Sequence, residues 1–337
     1  MVDVSPKLID IPTPKHLLDV KNLQVYFWTT RGSLWKRKQV VIRAVDDLSF
    51  QVAGGESFGL VGESGCGKST TARGVLNLIP PTGGEVWFGG RRIDQLSESE
   101  MLPYRQHLQM IFQDPFASLN PRMTVGRIIA EPMEIMEHGD KTHQKLETMR
   151  LLDIVGLNPK FLNRYPHEFS GGQRQRIGIA RALAVKPKLI FCDEPVSALD
   201  VSIQAQVINL LKNLQQQLGL SYVFIAHDLS VVRHISHKVG VMYLGRLVEV
   251  APADELYAKP LHPYTQALLS AVPIPDPAVE RQRRRILLSG DPPSPERIPV
   301  GCPFADRCPL VAKECRESAP ELKGTSHQVA CFKVEAD

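Results

Sequence analysis

The sequence predicts an α/β fold with a mainly parallel sheet, an added antiparallel layer, an inserted helical part and a small C-terminal extension. Three observations predict it. Short apolar strands alternate with helical patterns along most of the chain, a helix-rich stretch at about 115–187 interrupts the alternation, and proline and cysteine become dense after residue 255. Apolar strands that alternate with helices are typical of a parallel sheet covered on both faces.

The antiparallel layer is predicted from the first part of the chain. Apolar and polar residues alternate at 23–27 and again at 48–52, with a polar insert at 29–39 between them. A period of two is typical of a strand with one buried face. The residues 85–88, followed by two glycines, indicate a hairpin.

Continuous apolar runs are the candidate strands of the parallel sheet. They are 57–61, 107–112, 188–193 and 221–226. A helix is predicted between the last two runs, with Ile208, Leu211, Leu214 and Leu218 on one apolar stripe. Within the inserted part, helical patterns are present at 125–137, 142–155 and 171–185.

Bulk composition excludes several classes of protein. The 337 residues are 43% hydrophobic with a net charge of +4, and no apolar run approaches the roughly 20 residues that cross a bilayer. The first 16 residues are proline-rich and are predicted to form a flexible arm. They have no apolar core of a signal peptide, so no secretory signal is expected. The mild charge is not gathered in one stripe, so we expect no nucleic-acid partner.

A phosphate-binding loop is predicted between the strand at 57–61 and the helix that begins near Lys68. The sequence GESGCGKS at 62–69 matches G-x-x-x-x-G-K-[ST]. Glycines allow backbone N–H groups to surround phosphate oxygens, the lysine adds a cation, and the serine hydroxyl is a ligand for Mg²⁺. The residues expected to bind nucleotide are Gly62, Glu63, Ser64, Gly65, Cys66, Gly67, Lys68, Ser69 and Thr70.

Two carboxylates follow the apolar strand at 188–193. Asp193 fits the residue that holds Mg²⁺, and Glu194 fits the base that polarises the attacking water. The simpler interpretation is an acidic turn that Pro195 ends. The upstream phosphate-binding loop favours the catalytic interpretation, and hence hydrolysis of a nucleotide.

Four further motifs stand in order with these two. They are Gln113 before Asp114-Pro115, Ser170-Gly171-Gly172-Gln173 after Phe169, Ser197-Ala198-Leu199-Asp200, and His227 at a strand end. The six motifs together resemble those of the ABC ATPase family, where the four named here are the Q-loop, the signature, the D-loop and the switch histidine. The resemblance covers roughly residues 17–250.

This resemblance implies an ABC ATPase domain over 17–255, with a RecA-like parallel sheet, an antiparallel β layer and a helical subdomain at about 115–187. Two such domains sandwich two ATP molecules, and each signature motif completes the site of its partner. Glu194, His227 and Gln113 are the implied catalytic residues, and Ser69, Gln113 and Asp193 are the implied Mg²⁺ ligands. Ser170, Gly171, Gly172 and Gln173 are implied contacts to the partner's nucleotide.

The residue that stacks on adenine is less defined. Members of the family use an aromatic side chain from an early strand, and Phe27 is the candidate here. Tyr26 and the aliphatic Ile42 are alternatives, and packing is the competing explanation for each of the three.

A second resemblance narrows the family. LHPYTQALLSAVP at 261–273 and SLNPR at 118–122 are similar to the ATPases of oligopeptide and dipeptide importers, and YPHEFSGGQRQRIGIARAL resembles their F-type subunit. This implies a peripheral protein on the cytoplasmic face of a bacterial inner membrane. The implied partners are a second, different ATPase subunit (a heterodimer), two permeases and, indirectly, an extracytoplasmic binding protein.

Other functions remain open from the sequence. Relatives with these motifs import nickel or glutathione. A soluble ABC ATPase of translation or DNA repair is less favoured, because the chain has one ATPase unit and no long heptad run. A regulatory subunit that does not hydrolyse ATP is disfavoured by the presence of Glu194 and His227.

The C-terminal extension, 256–337, carries a candidate metal site. Cys302, Cys308, Cys315 and Cys331 form the pattern C-x5-C-x6-C-x15-C. Four thiolates suit a 4Fe–4S cluster or a tetrahedral zinc ion. Four free thiols in a proline-rich tail are the competing interpretation. Related importer ATPases carry iron–sulfur in this region, so the resemblance favours the cluster. Its expected role is structural, with nucleotide binding left intact when Cys308 is replaced by serine.

Overall fold

The computed structural model describes residues 15–31, 38–273, 281, 285–288, 290, 293–296 and 298–334. The predicted arm at 1–16 lies outside these residues except for its last two positions. The described chain forms two compact units. The first contains 52–56 and 89–225, and the second contains 18–51, 57–88 and the chain from 226 onward.

The strands and helices are as follows. The strands are β1 Leu18–Arg31, β2 Lys38–Val52, β3 Ser57–Val61, β4 Gly83–Phe88, β5 Arg91–Arg92, β6 Leu108–Ile111, β7 Leu189–Asp193, β8 Ser221–Ala226, β9 Lys238–Tyr243, β10 Arg246–Pro252 and β11 Gln328–Val329. The helices are α1 Lys68–Val75, α2 Glu98–Arg105, α3 Val125–Ile135, α4 Lys141–Ile154, α5 Gly171–Leu183, α6 Val201–Leu218, α7 Leu229–Ile235, α8 Ala253–Ala258, α9 Pro263–Ala271 and α10 Glu314–Glu317.

Parallel strands form the centre of the first unit. β6 pairs with β7, and β7 pairs with β8, both in parallel. Every residue of β7 and β8 is buried, which explains why their sequences are continuous apolar runs instead of alternating ones. β7 carries Asp193 as its last residue, so the strand delivers this carboxylate to the carboxyl end of the sheet.

The predicted helical insertion is present in the first unit as α3, α4 and α5, which pack against one another. α3 buries Val125, Ile128, Ile129 and Met133 along one face. Asp140 caps the N-terminus of α4, and its side chain accepts a hydrogen bond of 2.8 Å from the backbone N–H of His143. The three helices end within two residues of their predicted ends.

The second unit contains an antiparallel sheet, in which β1 lies between β2 and β4. Leu18 pairs with Phe88 and Val20 with Val86, and all four side chains are buried. The predicted alternation at 23–27 is confirmed for Leu23 and Val25, which are buried, but it is wrong for Phe27, which is 37% exposed. In the same unit, β3 runs parallel to β9, and β10 is antiparallel to β9.

The cysteine-bearing part of the chain adds a strand to the second unit, because β11 pairs with β10. A fully buried carboxylate, that of Glu249 in β10, fastens this region. It accepts hydrogen bonds from the backbone N–H groups of Leu261 (2.7 Å) and His262 (2.9 Å). The ring of His327 also contacts it, at 2.7 Å. These partners satisfy a carboxylate that would be costly to bury alone.

The structure also contains elements that the sequence prediction missed. α2 was not predicted, although Ser97 and Glu100 form a capping box at its start. The short elements from α7 to α9 were also missed. In the described part of the chain, no helix is both long and apolar enough to cross a membrane.

Candidate nucleotide site

The phosphate-binding loop connects β3 to α1, as predicted. Gly65 and Gly67 have φ values of +80° and +109°, in a region that residues with a Cβ atom rarely adopt. A Cβ atom on Gly67 would lie 2.0 Å from the carbonyl oxygen of Ala44. The backbone therefore needs glycine here, and the loop ends at the N-terminus of a helix, where unpaired N–H groups favour anions.

Lys68 is the buried cation of this loop. Its side chain is 4% exposed, and its ammonium donates hydrogen bonds to the carbonyl oxygens of Gly62 (2.8 Å) and Glu63 (3.0 Å). Both acceptors belong to the loop, so the charge is held where phosphate oxygens would meet it. Cys66, two residues earlier, is buried, and burial raises the pKa of its thiol.

The remaining predicted loop residues differ in exposure. Ser64 and Gly65 are exposed, whereas Glu63, Gly67, Ser69 and Thr70 are half-buried. Ser69 and Thr70 belong to the first turn of α1. The hydroxyl of Ser69 is thus next in the chain to Lys68, which is the arrangement expected of a Mg²⁺ ligand.

In the first unit, two predicted catalytic residues are in direct contact. The side-chain amide of Gln113 donates a hydrogen bond of 2.9 Å to Oε2 of Glu194. These residues are 81 positions apart in the sequence. Because the nitrogen of the amide is used in this contact, its oxygen is the end that could face a cation.

The backbone at Glu194 is unusual. Glu194 has a φ of +44°, and its N–H donates a hydrogen bond of 2.9 Å to the carbonyl oxygen of Ile225 in β8. Its own carbonyl accepts a hydrogen bond of 3.0 Å from the hydroxyl of Ser197. Left-handed conformations of non-glycine residues concentrate at functional sites, where the surroundings hold them in place. Asp193, directly before it, is 2% exposed.

The signature residues form the start of α5. Ser170 and Gln173 make a capping box, in which the Ser170 N–H donates to Oε1 of Gln173 at 3.0 Å. Ser170 is exposed, and Gly171, Gly172 and Gln173 are half-buried. A Cβ on Gly172 would lie 2.5 Å from Cγ2 of Ile203, so this position also requires glycine. The exposed helix N-terminus has the donors that an anionic phosphate needs.

His227 and Phe27 belong to the second unit. His227 is exposed and stands between β8 and α7 in the chain. Phe27 is 37% exposed, which leaves part of its ring open for stacking. The phenol of Tyr26 instead donates a hydrogen bond to Asp46. Burial, together with this acceptor, raises the pKa of Tyr26 to about 12. Of the two aromatic candidates, Phe27 is therefore the better stacking residue.

The four cysteines of the extension line one small cavity, together with residues that include His262 and Phe304. Burial raises the pKa of Cys302 to about 11, with the other three thiols adding to the effect. Backbone N–H groups two residues further on donate to the sulfur atoms of Cys308 and Cys331, each at 3.4 Å. Nevertheless, no group of three or more His, Cys, Asp or Glu side chains in the described residues has a geometry that could hold a metal ion.

Two residues that the sequence did not single out contact the phosphate-binding loop. The backbone N–H of Glu63 donates a hydrogen bond of 2.9 Å to the hydroxyl of Tyr264. The carboxylate of Glu63 pairs with Arg307. Tyr264 lies within the motif LHPYTQALL, but no periodicity or spacing marks Arg307, which is 244 residues from Glu63.

Two parts of the chain match described protein families. Residues 45–197 match the family described as ABC transporter. Residues 248–315 match the oligopeptide/dipeptide transporter, C-terminal region.

Individual proteins are similar over almost the whole chain. The oligopeptide transport ATP-binding protein OppF of Salmonella typhimurium is 52% identical over 330 residues, which cover 95% of this chain and 97% of that protein. The oligopeptide transport ATP-binding protein AppF of Bacillus subtilis is 53% identical over 318 residues, covering 94% and 96%. A solved dimer of the ATP-binding cassette MJ0796, bound to ADP and Pi, is 27% identical with a TM-score of 0.61 and covers 70% of this chain and 98% of that chain. The chain therefore belongs to the ABC transporter ATP-binding proteins of oligopeptide transport.

Proposed function

We propose that this chain is the ATP-hydrolysing subunit of a bacterial inner-membrane importer of dipeptides or oligopeptides. The assignment of a peptide as the cargo rests on the match of residues 248–315 to the C-terminal region of such transporters. The similarity of nearly the full chain to OppF and AppF supports it and disfavours a soluble ABC ATPase of translation or repair. The same similarity supports an ATPase domain at 17–255 and an extension at 256–337.

ATP binding is assigned to the phosphate-binding loop and Phe27. The ammonium of Lys68 and backbone N–H groups of residues 62–70, other than that of Glu63, which donates to Tyr264, would neutralise the phosphates. The exposed ring of Phe27 would stack on adenine. These loop donors are already in place before ATP binds. Donors fixed in this way stabilise the negative charge that develops on the phosphates during phosphoryl transfer.

The donor set of the proposed site suits Mg²⁺. Ser69, Gln113 and Asp193 would present a hydroxyl, an amide oxygen and a carboxylate, and Mg²⁺ prefers oxygen ligands. The hydrogen bond from Gln113 to Glu194 supports this assignment, because it occupies the amide nitrogen and leaves the amide oxygen as the atom that could bind the metal. Bound Mg²⁺ would neutralise charge on the β- and γ-phosphates.

Hydrolysis is assigned to Glu194, His227 and Gln113. Glu194 would accept a hydrogen bond from the attacking water and polarise it, while Gln113 restrains the carboxylate. His227 would contact the γ-phosphate. Ser170, Gly171, Gly172 and Gln173 would contact the nucleotide of a second ATPase, so that neither subunit alone completes a site.

We expect this chain to assemble with a second, different ATPase and two permeases at the cytoplasmic face of the inner membrane. A tagged full-length chain, purified from detergent-solubilised membranes of its host, should recover all three partners. The complex is then reconstituted in liposomes, and its ATP turnover is measured with binding protein loaded with a dipeptide, an oligopeptide, Ni²⁺ or glutathione. Only the peptides should stimulate turnover. Recovery of the chain alone, or stimulation only by Ni²⁺ or glutathione, would contradict the proposal.

We further propose that Cys302, Cys308, Cys315 and Cys331 hold a 4Fe–4S cluster, with zinc as the alternative. Four thiols around one cavity are the donor set that such a cluster needs, and N–H groups that donate to sulfur stabilise bound thiolates. The cluster would order a proline-rich region that has little core of its own. The described thiols are not grouped at metal-binding geometry, so the proposal rests on the four cysteines, their shared cavity and the family resemblance.

Replacing Cys308 by serine should remove this cluster. We expect the full-length protein, purified without oxygen, to contain iron, acid-labile sulfide and a brown absorbance, and Cys308→Ser to lose all three. Cys192→Ala is the matched control, because Cys192 is buried in β7 and is not one of the four. Zinc without sulfide would select the alternative ion, and absence of both metals from the wild type would refute a metal site.

A further inference from the structure

A pair of charged side chains joins the cysteine-bearing region to the phosphate-binding loop. Arg307 lies in a short 3-10 turn between Cys302 and Cys308, and its side chain is only 8% exposed. Its guanidinium donates to both carboxylate oxygens of Glu63, at 2.7 and 3.0 Å. Bidentate pairs of this kind are among the stronger hydrogen-bonded contacts and fix orientation as well as distance.

Glu63 is also held through its backbone. Its N–H donates to the hydroxyl of Tyr264, whose ring is buried against Tyr243 at 4.7 Å and Phe304 at 5.4 Å between ring centroids. Arg307 also donates to the hydroxyl of Tyr243, at 3.5 Å. Two residues beyond the ATPase motifs therefore hold one residue of the loop, one by its main chain and one by its side chain.

The position of Glu63 affects the nucleotide in two ways. First, its carbonyl oxygen accepts a hydrogen bond from Lys68, so the orientation of this peptide helps to set where the ammonium lies. Second, an unpaired carboxylate on the loop would repel the phosphates of a nucleotide bound there, because like charges oppose each other more strongly in a partly buried site. The guanidinium of Arg307 holds Glu63 in place, which fixes the orientation of this peptide, and it neutralises the carboxylate, which removes the repulsion.

We infer that Arg307 is a positioning residue for ATP binding, which acts by pairing with Glu63 and thereby fixing and neutralising the second residue of the phosphate-binding loop. This inference rests on the proposed binding of ATP to that loop. It makes the C-terminal extension a structural part of the nucleotide site.

The test measures the Kd of a fluorescent ATP analogue with Mg²⁺ for the purified full-length chain. Arg307→Gln is expected to weaken binding about tenfold, as loss of a charged bidentate contact would. Arg316→Gln is the matched control, because Arg316 lies in the same region and pairs with Asp306 at 2.8 Å, but both side chains are about 60% exposed. Exposed pairs contribute little, so its Kd should change less than about twofold.

A double-mutant cycle separates positioning from general damage to the fold. In a Glu63→Gln background, Arg307→Gln should weaken binding less than about twofold, because its partner charge is already gone. Arg307→Lys should give an intermediate Kd, since it restores charge without the bidentate geometry. Arg307→Lys also replaces Arg307→Gln as the test variant if the latter does not fold. A melting curve without nucleotide shows whether each variant folds.

An unchanged Kd for Arg307→Gln, or an equal loss in both backgrounds, would overturn the inference. These outcomes differ from a failure of the proposed ATP site. In that case the wild type and Arg316→Gln would themselves fail to bind the analogue.

Discussion

Replacing Glu194 by glutamine is expected to lower the ATP turnover of the assembled transporter by about 100-fold or more, because a general base contributes a factor of that order. The amide cannot take up the proton of the attacking water. It can still accept the hydrogen bond that Gln113 donates to Glu194. The site should therefore keep its geometry and bind MgATP while it fails to hydrolyse it.

Glu137→Gln is a matched control for this variant. Glu137 is also a glutamate with a positive φ, +51° compared with +44° at Glu194, and its side chain is exposed. The same substitution therefore tests any general effect of exchanging glutamate for glutamine in a left-handed turn. Turnover should be measured in the complex with its membrane subunits. A Glu194→Gln complex that hydrolyses ATP as fast as the wild type would remove Glu194 from its catalytic role.

Replacing Lys68 by alanine is expected to weaken binding of MgATP about 100-fold, because hydrogen bonds to charged groups contribute about 1.5–3 kcal/mol each. The ammonium is buried and held by the carbonyl oxygens of Gly62 and Glu63. Its loss removes a cation from the phosphates and takes one donor away from each of those two carbonyl groups. Both consequences act against the nucleotide-bound state.

The Kd of the fluorescent ATP analogue is again the measurement. Lys212→Ala is the control, since Lys212 is exposed on α6 and takes no part in the loop. Its Kd should equal that of the wild type. If Lys68→Ala bound nucleotide as tightly as Lys212→Ala, the loop at 62–69 would not be the phosphate site.

The parts of the fold that the sequence predicts are those with strong local signals. β7 and β8 are buried on both faces, so each is an uninterrupted apolar run, and the glycines of the loop before α1 mark a backbone that no other residue can adopt. The contact of Gln113 with Glu194 was not predicted, because nothing in the local sequence relates residues 81 positions apart. The family resemblance implied a role for each residue but did not pair them.

The contacts that the sequence could not predict are long-range and lack a repeating pattern. Arg307 stands among cysteines and prolines, where a solvated arginine is the ordinary expectation, and its partner is fixed only by the folding of the second unit. This contact changes one earlier expectation. The sequence predicted that Cys308→Ser leaves nucleotide binding intact, but Arg307 is the preceding residue and pairs with the loop. We now expect weaker ATP binding in that variant.

The carboxylate of Glu249 has a consequence for how this family can vary in length. It holds His262 on one side and His327 on the other, so the chain between these two histidines is closed by a single residue of β10. The entropy of closing a flexible loop grows only with the logarithm of its length, and each doubling costs about 0.6 kcal/mol. Changes of chain length between the two anchors should therefore cost little where they leave the contacts of Tyr264, Phe304 and Arg307 and the cysteines in place. Sequence alignments of related chains should therefore match His262 and His327 first and place gaps between them.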